Sequence, residues 1–304
     1  TVSAQSQLSI TLSTTQLSYN RGDTMTINGQ LLSQTQPTTG LVGISVIDSQ
    51  GNYIVIRTVS TGTVSNPLGS IDVAYLSDLS GNPLTSASAG NSAYFTLRVV
   101  NHDTVARDLF AVVSAYDNNG VPLSYGAVLI PQVASGDGFT TTISVAIPSW
   151  AAAGPSYAYG ELYTNWPNQG GYPLALEASI PYTLTGTNQG SNNPSASSGS
   201  QGSYALSFTL APRAQLGLDT VYVSSKVNGI VASNIALFSV NQLGDFNGDK
   251  ALTFNDVIFF ANNWIAYYNN QPWSQAIDFN QDNQVDFKDI ITFANAWIYY
   301  YRAE

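Results

Sequence analysis

The chain has 304 residues, enough for two or three domains with separate cores, and its net charge of −10 argues against a nucleic-acid partner, whose phosphates it would repel. Charged residues make up only 9%, against roughly 25% in an ordinary soluble domain, so a surface of Ser, Thr, Asn, Gln and Tyr is expected. Cysteine is absent, which excludes disulfides and thiolate metal sites, and no apolar run approaches the roughly 18 residues of a membrane helix.

Thr1-Val-Ser-Ala-Gln5 reads as a mature N-terminus left by cleavage, which points to a secreted or cell-surface protein. Residues 8–65 then show short runs of period two: Leu8–Leu12, Met25–Ile27 and Ile44–Val46. Turn clusters at Asn20–Asp23, Gln36–Gly40 and Ser49–Asn52 separate them, as in an antiparallel sandwich. Between 70 and 186 the pattern predicts strands at Ile71–Leu76, Ala93–Val100, Leu109–Tyr116, Thr140–Ile147, Tyr157–Tyr163 and Leu174–Tyr182. Asn118-Asn-Gly120 and Asn168-Gln-Gly-Gly171 read as hairpin turns, because Asn and Gly tolerate positive φ. Residues 187–202 are Ser/Asn/Gly-rich without an apolar anchor and read as a linker. Strand pattern resumes at Tyr204–Phe208, Thr220–Ser224 and Asn234–Val240.

Leu17-Ser-Tyr-Asn-Arg-Gly22-Asp-Thr-Met-Thr-Ile27 resembles the opening of macroglobulin-like and immunoglobulin-like domains of archaeal and bacterial surface proteins. Gly202–Phe208, Leu216–Val223 and Phe238–Val240 resemble the ending of such domains. Ile147-Pro148 through Trp166-Pro167 to Glu177 is similar to the tail of immunoglobulin-like modules of archaeal extracellular proteins. The resemblance implies a mostly β protein with two immunoglobulin-like β-sandwiches. In the simplest arrangement residues 1–65 and 203–241 form a host sandwich, residues 66–186 form a second sandwich inserted in it, and 187–202 is the return path. Plain tandem domains are the alternative.

The last sixty residues say one thing twice. Asp245-Phe-Asn247-Gly-Asp249-Lys-Ala-Leu-Thr253-Phe-Asn-Asp256 is repeated 33 residues later as Asp278-Phe-Asn280-Gln-Asp282-Asn-Gln-Val-Asp286-Phe-Lys-Asp289, and each copy runs into an apolar helix pattern. Oxygen side chains stand at loop positions 1, 3, 5, 9 and 12, the rhythm a calcium ion needs from one short loop. The expected ligands are Asp245, Asn247, Asp249, the Ala251 carbonyl, Thr253 and Asp256 for one ion, and Asp278, Asn280, Asp282, the Gln284 carbonyl, Asp286 and Asp289 for a second. Residues 245–304 hold 8 of the 19 acidic and 3 of the 9 basic residues, a balance of −5 that two calcium ions would nearly cancel. Leu252 and Val285, at loop position 8, are expected to point inward. Position 6, where glycine is usual, is Lys250 in one copy and Asn283 in the other.

No helix pattern precedes the first loop. A calcium loop with only its exiting helix, duplicated, with Asp at position 12, resembles a dockerin and implies a small α-helical domain over 242–304. The resemblance implies a cohesin-like β-sandwich partner, met through loop positions 10 and 11: Phe254, Asn255, Phe287 and Lys288. Val257, Phe260, Ala261, Trp264 and Tyr268 form one helix face, and Ile290, Phe293, Ala294, Trp297 and Tyr301 repeat it. Ile258, Phe259, Ile265, Ile291 and Ile298 lie outside that stripe, a surplus of apolar surface for a partner or a neighbouring domain.

Little suggests an enzyme. His102 is the sole histidine and sits between predicted strands, where a surface role is expected, and no nucleophile-elbow motif accompanies it. Glu161 and Glu177 are the conceivable glycosidase pair, and Trp150, Tyr157, Tyr159, Tyr163 and Trp166 a conceivable sugar platform, with core packing the simpler account. The expectation is a non-enzymatic subunit of a self-assembling extracellular filament or surface array, closed by a calcium-stabilised docking tail. Thr1–Leu12 is a candidate for strand pairing with a neighbour. The alternative is a dockerin-bearing scaffold or carbohydrate-binding component of a cell-surface complex.

Overall fold

The computed structural model describes residues 7–188, 196–280 and 282–303. It is mostly β, 50% strand and 12% helix, in several sheets. In chain order the first strands are β1 (Leu8–Ile10), β2 (Ser13–Thr14), β3 (Ser18–Asn20), β4 (Thr24–Ser33), β5 (Gln36–Pro37), β6 (Leu41–Ile47) and β7 (Tyr53–Ser60). Then come β8 (Gly69–Ser77), β9 (Ser86–Ser88), β10 (Ser92–Asn101), β11 (Arg107–Tyr116), β12 (Pro122–Val133), β13 (Gly138–Ala146), β14 (Gly154–Tyr163) and β15 (Ala178–Thr185). The last strands are β16 (Ala196–Ser200), β17 (Ser203–Thr209), β18 (Gly217–Val227) and β19 (Ile230–Asn241), followed by helices α1 (Phe254–Tyr268) and α2 (Phe287–Ala303).

The strands pair in two self-contained sets. β4 is joined on one side by β1 and β2 and on the other by β5 and by β17, then β16; β3-β19-β18-β6-β7 make a second sheet. β13-β10-β8 and β12-β11-β14-β15-β9 pair only among themselves. The long-range ladders are β17 on β4, with Phe208 opposite Met25, and β18 on β6, with Val223 opposite Ile44. Alternation decides which side chains turn inward: Met25, Ile27 and Leu31 of β4 meet Val42, Ile44 and Val46 of β6 in one core. Phe95, Leu97 and Val99 of β10 meet Ala111, Val113 and Ala115 of β11 in the other.

β11 is apolar on both faces because it is buried on both. Its Ala111, Val113 and Ala115 serve the second core, while Phe110 and Val112 pack on Ile56 of β7 and on Tyr163. The two sets of strands therefore share an interior junction. Gly43 belongs to it: a Cβ there would stand 2.6 Å from the Tyr163 ring, so this approach of β6 to β14 needs glycine.

Several expectations are corrected. Residues 196–200, expected to be linker, form β16, paired with β17 from Ala196–Ser207 to Ser200–Ser203; residues 189–195 of that linker lie outside the described residues. The predicted strand from Leu174 begins only at Ala178, because Glu177 is drawn aside by Arg57. Asn118–Gly120 is a hairpin between β11 and β12, but Asn168–Gly171 is not: Pro167–Gln169 make a 3-10 turn ended by Gly170 at φ +82°. The predicted edge segment Thr1–Leu12 contributes β1, paired with β4, and Thr1–Ser6 fall outside the described residues. Among the described residues no helix is long and apolar enough to cross a membrane.

Candidate metal centre

β19 ends at Asn241, and the chain turns through Gly244, at φ +85°, into the first loop. The two loops share a set of hydrogen bonds at matching positions. The position-1 carboxylate accepts the position-6 amide, Asp245 Oδ2 from Lys250 at 2.7 Å and Asp278 Oδ2 from Asn283 at 2.8 Å. Position 3 accepts from position 5, Asn247 from Asp249 at 2.9 Å and Asn280 from Asp282 at 3.1 Å. Position 5 accepts from position 7, Asp249 from Ala251 and Asp282 from Gln284, both at 2.9 Å. Each position-12 carboxylate spans its loop: Asp256 accepts from Phe246 at 2.9 Å and Thr253 at 2.8 Å, and Asp289 from Phe279 at 2.8 Å and Asp286 at 2.9 Å. The last bond is half of a capping box and starts each helix.

The backbone path is alike in the two loops. Lys250 and Asn283 both adopt left-handed φ, +69° and +62°, at the position where glycine is usual. Leu252 and Val285 are buried, as expected, in a core with Phe260, Phe293 and Ile277. Phe246 and Phe279, at loop position 2, complete that core. The Phe260 and Phe293 rings lie 4.8 Å apart and nearly parallel, and the Phe246 ring stands 5.7 Å from Phe293. The signal for these two phenylalanines was their identical place in both copies.

Among the described residues no group of three or more His, Asp or Glu side chains is gathered into a ready cation cage. The donors are nevertheless all oxygen, with neither imidazole nor thiolate, which suits calcium or magnesium and no soft metal. The carboxylate oxygens that accept one amide keep a second lone pair. The donor set thus fits two hard cations, which Asp245, Asn247, Asp249, Ala251, Thr253 and Asp256 and Asp278, Asn280, Asp282, Gln284, Asp286 and Asp289 would hold. Lys288 Nζ stands 3.9 Å from Asp282 and 3.8 Å from Asp286, an exposed cation beside the second loop. A cavity of about 890 Å³ separates the loops from the end of the β3–β7 sheet, lined by Asn20, Gly217 and Gln242 on one side and Asp245, Asp278 and Asn283 on the other.

The expected partner residues are at the surface: Phe254 is 71% exposed and Phe287 70%, with Asn255 and Lys288 exposed beside them. Ile258, Ile265, Ile291 and Ile298 are exposed as well. The predicted helix face is corrected in part. Ala261, Ala294, Tyr268 and Tyr301 are exposed, Ala296 is buried in their place, and Phe259 is used internally, its ring 4.7 Å from Phe246.

The other candidates are dispersed. His102 Nε2 meets Ser70 Oγ at 2.8 Å on the surface, but that hydroxyl donates to Asp72, and among the described residues no carboxylate pairs with the histidine. Glu161 is fully buried, and Glu177 is clamped by Arg57. Tyr159 lies under the Arg57 guanidinium and Tyr163 is buried, while Trp166 stacks on Tyr53 at 4.6 Å and meets Phe110 edge-on. These rings are spent on packing rather than on an open platform. Arg57 is what the sequence reading missed; a lone arginine at a core-facing position of a strand was the available signal.

No protein-family model matches the chain, and no curated protein does. Among solved structures it is similar to the C-terminal domain of wzt, at 15% identity over 41% of this chain and 77% of that one, with a TM-score of 0.33. It is also similar to a Bacteroides uniformis β-glucuronidase, at 10% identity over 53% of this chain and 26% of that one, TM-score 0.29. A third is the Pseudomonas fluorescens alkylpurine DNA glycosylase AlkC bound to DNA containing an abasic site analog, at 9% identity over 40% and 31%, TM-score 0.27. The chain spans less than a third of the length of the last two. Likeness at this level extends to neither a shared fold nor an activity.

Proposed function

We propose that the chain is a secreted structural protein, a non-enzymatic subunit of a self-assembling extracellular filament or surface array, with a dockerin-like, calcium-stabilised tail over 242–304 as its connector. The observation that carries this reading is a duplicated apolar ridge left uncovered. Phe254, Ile258 and Ile265 of α1 and Phe287, Ile291 and Ile298 of α2 are all at least 45% exposed, at matching places in the two copies. The chain's own sheets do not cover them, which favours docking on another molecule over capping in cis.

We take the receiving molecule to be a second copy. The outer face of β18 and β19 exposes Leu218, Val231, Ile235 and Leu237, an apolar strip on a sheet surface. A ridge at one end and a strip elsewhere on the same chain make a heterologous contact, which propagates into an open polymer. The nested reading of the domains, 1–65 with 203–241 as host and 66–186 as insert, is supported by the two self-contained sets of strands, and it leaves both binding surfaces on the outside.

Sedimentation and electron microscopy with calcium and with chelator test the proposal. Filaments that fray on chelation, and that Phe254→Asp with Phe287→Asp abolish while the fold persists, are expected. A monomer at every concentration in calcium would overturn self-assembly and leave the dockerin-bearing component of a cell-surface complex as the reading to pursue.

A further inference from the structure

The junction between the two sets of strands contains one carboxyl that docking does not use. Glu161 projects from β14, is fully buried, and has no hydrogen-bond partner on either carboxyl oxygen. Arg57 faces it from β7, Ser114 and Tyr116 from β11, Glu177 from the segment before β15, and Tyr159 and Tyr163 flank it on its own strand.

The strongest of these neighbours are engaged elsewhere. Arg57 donates Nε to Glu177 Oε2 at 2.9 Å and Nη2 to Oε1 at 2.7 Å, with its guanidinium 3.3 Å above the Tyr159 ring. Ser114 Oγ donates to the Ile56 carbonyl at 2.8 Å. Tyr163 OH donates to the Arg57 carbonyl at 2.6 Å and accepts from Thr58 at 3.0 Å. Tyr116 OH is buried and likewise unpartnered. One guanidinium therefore stands against two carboxyls. Glu177 matches its charge, and an ionised Glu161 would add a second negative charge to a buried junction that has one guanidinium.

We propose that Glu161 is carried as the neutral acid at neutral pH and acts as a proton-held lock on the junction between β7 and the β11–β14 sheet. With the proton on, Arg57 stays on Glu177 and the junction closes. With the proton off, the new carboxylate competes for Arg57 or draws water in. Burial first, and then the Glu177 charge, hold the Glu161 carboxyl well above the usual range, and Arg57 and the Ser114 hydroxyl oppose them more weakly. An acid whose folded pKa is raised contributes stability that is full below its unfolded value and is lost as pH rises toward the folded one. Across that window each pH unit multiplies the unfolding constant about tenfold. The lock is therefore closed in acid.

The sequence has three glutamates, Glu161, Glu177 and Glu304, so carboxyl-labelled glutamate gives three carbon resonances to titrate in the whole, calcium-saturated protein. The expected result is one resonance still protonated at pH 7, absent from Glu161→Gln. In the same variant the rise of the unfolding constant between pH 5.5 and 7 should flatten by about tenfold per pH unit, with the variant the more stable protein at the alkaline end. Three ionised carboxyls at pH 7, or an unchanged slope in a folded variant, would overturn the lock. If the variant does not fold, the titration of the unaltered protein decides.

Discussion

Asp219 and Asp256 are both buried aspartates, and they are held in opposite ways. Asp219, on β18, makes no close hydrogen bond, and burial, with the Asp48 charge beside it, pushes its carboxyl up to about 7 against a weaker pull from the Ser49 amide. Asp256, at the start of α1, accepts from the amides of Phe246 and Thr253 and from the Thr253 hydroxyl. The sheets bury 21 and 23 apolar residues in their two cores and can tolerate an unanswered carboxyl; the 242–304 segment buries 6. A core that small needs another source of stability, and an acid-rich loop supplies one only when a cation joins it. Acid should therefore favour the sheets and disfavour the loops.

Calcium removal breaks this comparison most sharply. At free calcium a thousand times the dissociation constant, each site adds about 4 kcal/mol. Calorimetry with calcium and with chelator should show the transition of residues 242–304 falling steeply while that of the sheets stays put. Two transitions that move together would mean that the regions do not differ in this way. Next in size is Arg57→Ala. It removes the guanidinium that answers the Glu177 charge in the junction and should cost about 3–5 kcal/mol by guanidinium unfolding, and a loss under about 1 kcal/mol would show the pair to be hydrated.

Asp219→Asn sharpens the comparison from the other side. The carboxyl of Asp219 is raised, so its contribution is full below the ordinary aspartate value near 4 and is lost as pH climbs toward about 7. Above pH 7 the variant should be the more stable by about 2–4 kcal/mol, and in acid the two proteins should converge. A variant that loses stability equally at both ends would show that the carboxyl is held by a donor and not by the absence of one.

How much of this was legible follows from the range of the interactions. The two matching loops and the inward Leu252 and Val285 were readable because each loop is a local unit, and the chain states it twice. Strands such as Leu109–Tyr116 were readable from local pattern. β7, β12 and β16 were not. β16 is Ala-Ser-Ser-Gly-Ser, with no pattern of its own, and is a strand only because β17 offers an edge to it. Arg57 and Glu177 are 120 residues apart, so their meeting depends on two sets of strands docking, which no local window contains.

The smallest effect separates the two loops from each other. Lys250 and Asn283 occupy the same position at φ +69° and +62°. A left-handed backbone costs most L-residues about 1 kcal/mol or more, while asparagine adopts it more readily because its short amide can bond locally. Lys250→Gly should therefore stabilise residues 242–304 by about 1 kcal/mol, less the entropy glycine adds to the unfolded chain. Asn283→Gly should change little. Calcium titrations of both variants separate this backbone effect from charge, because Lys250 also brings a cation into a loop proposed to hold another. Lys250→Asn removes the charge and eases the strain with less unfolded-state entropy than glycine. If strain governs the first loop, Lys250→Asn matches or exceeds Lys250→Gly in the chelated protein. If charge governs it, the gain appears only when calcium is bound.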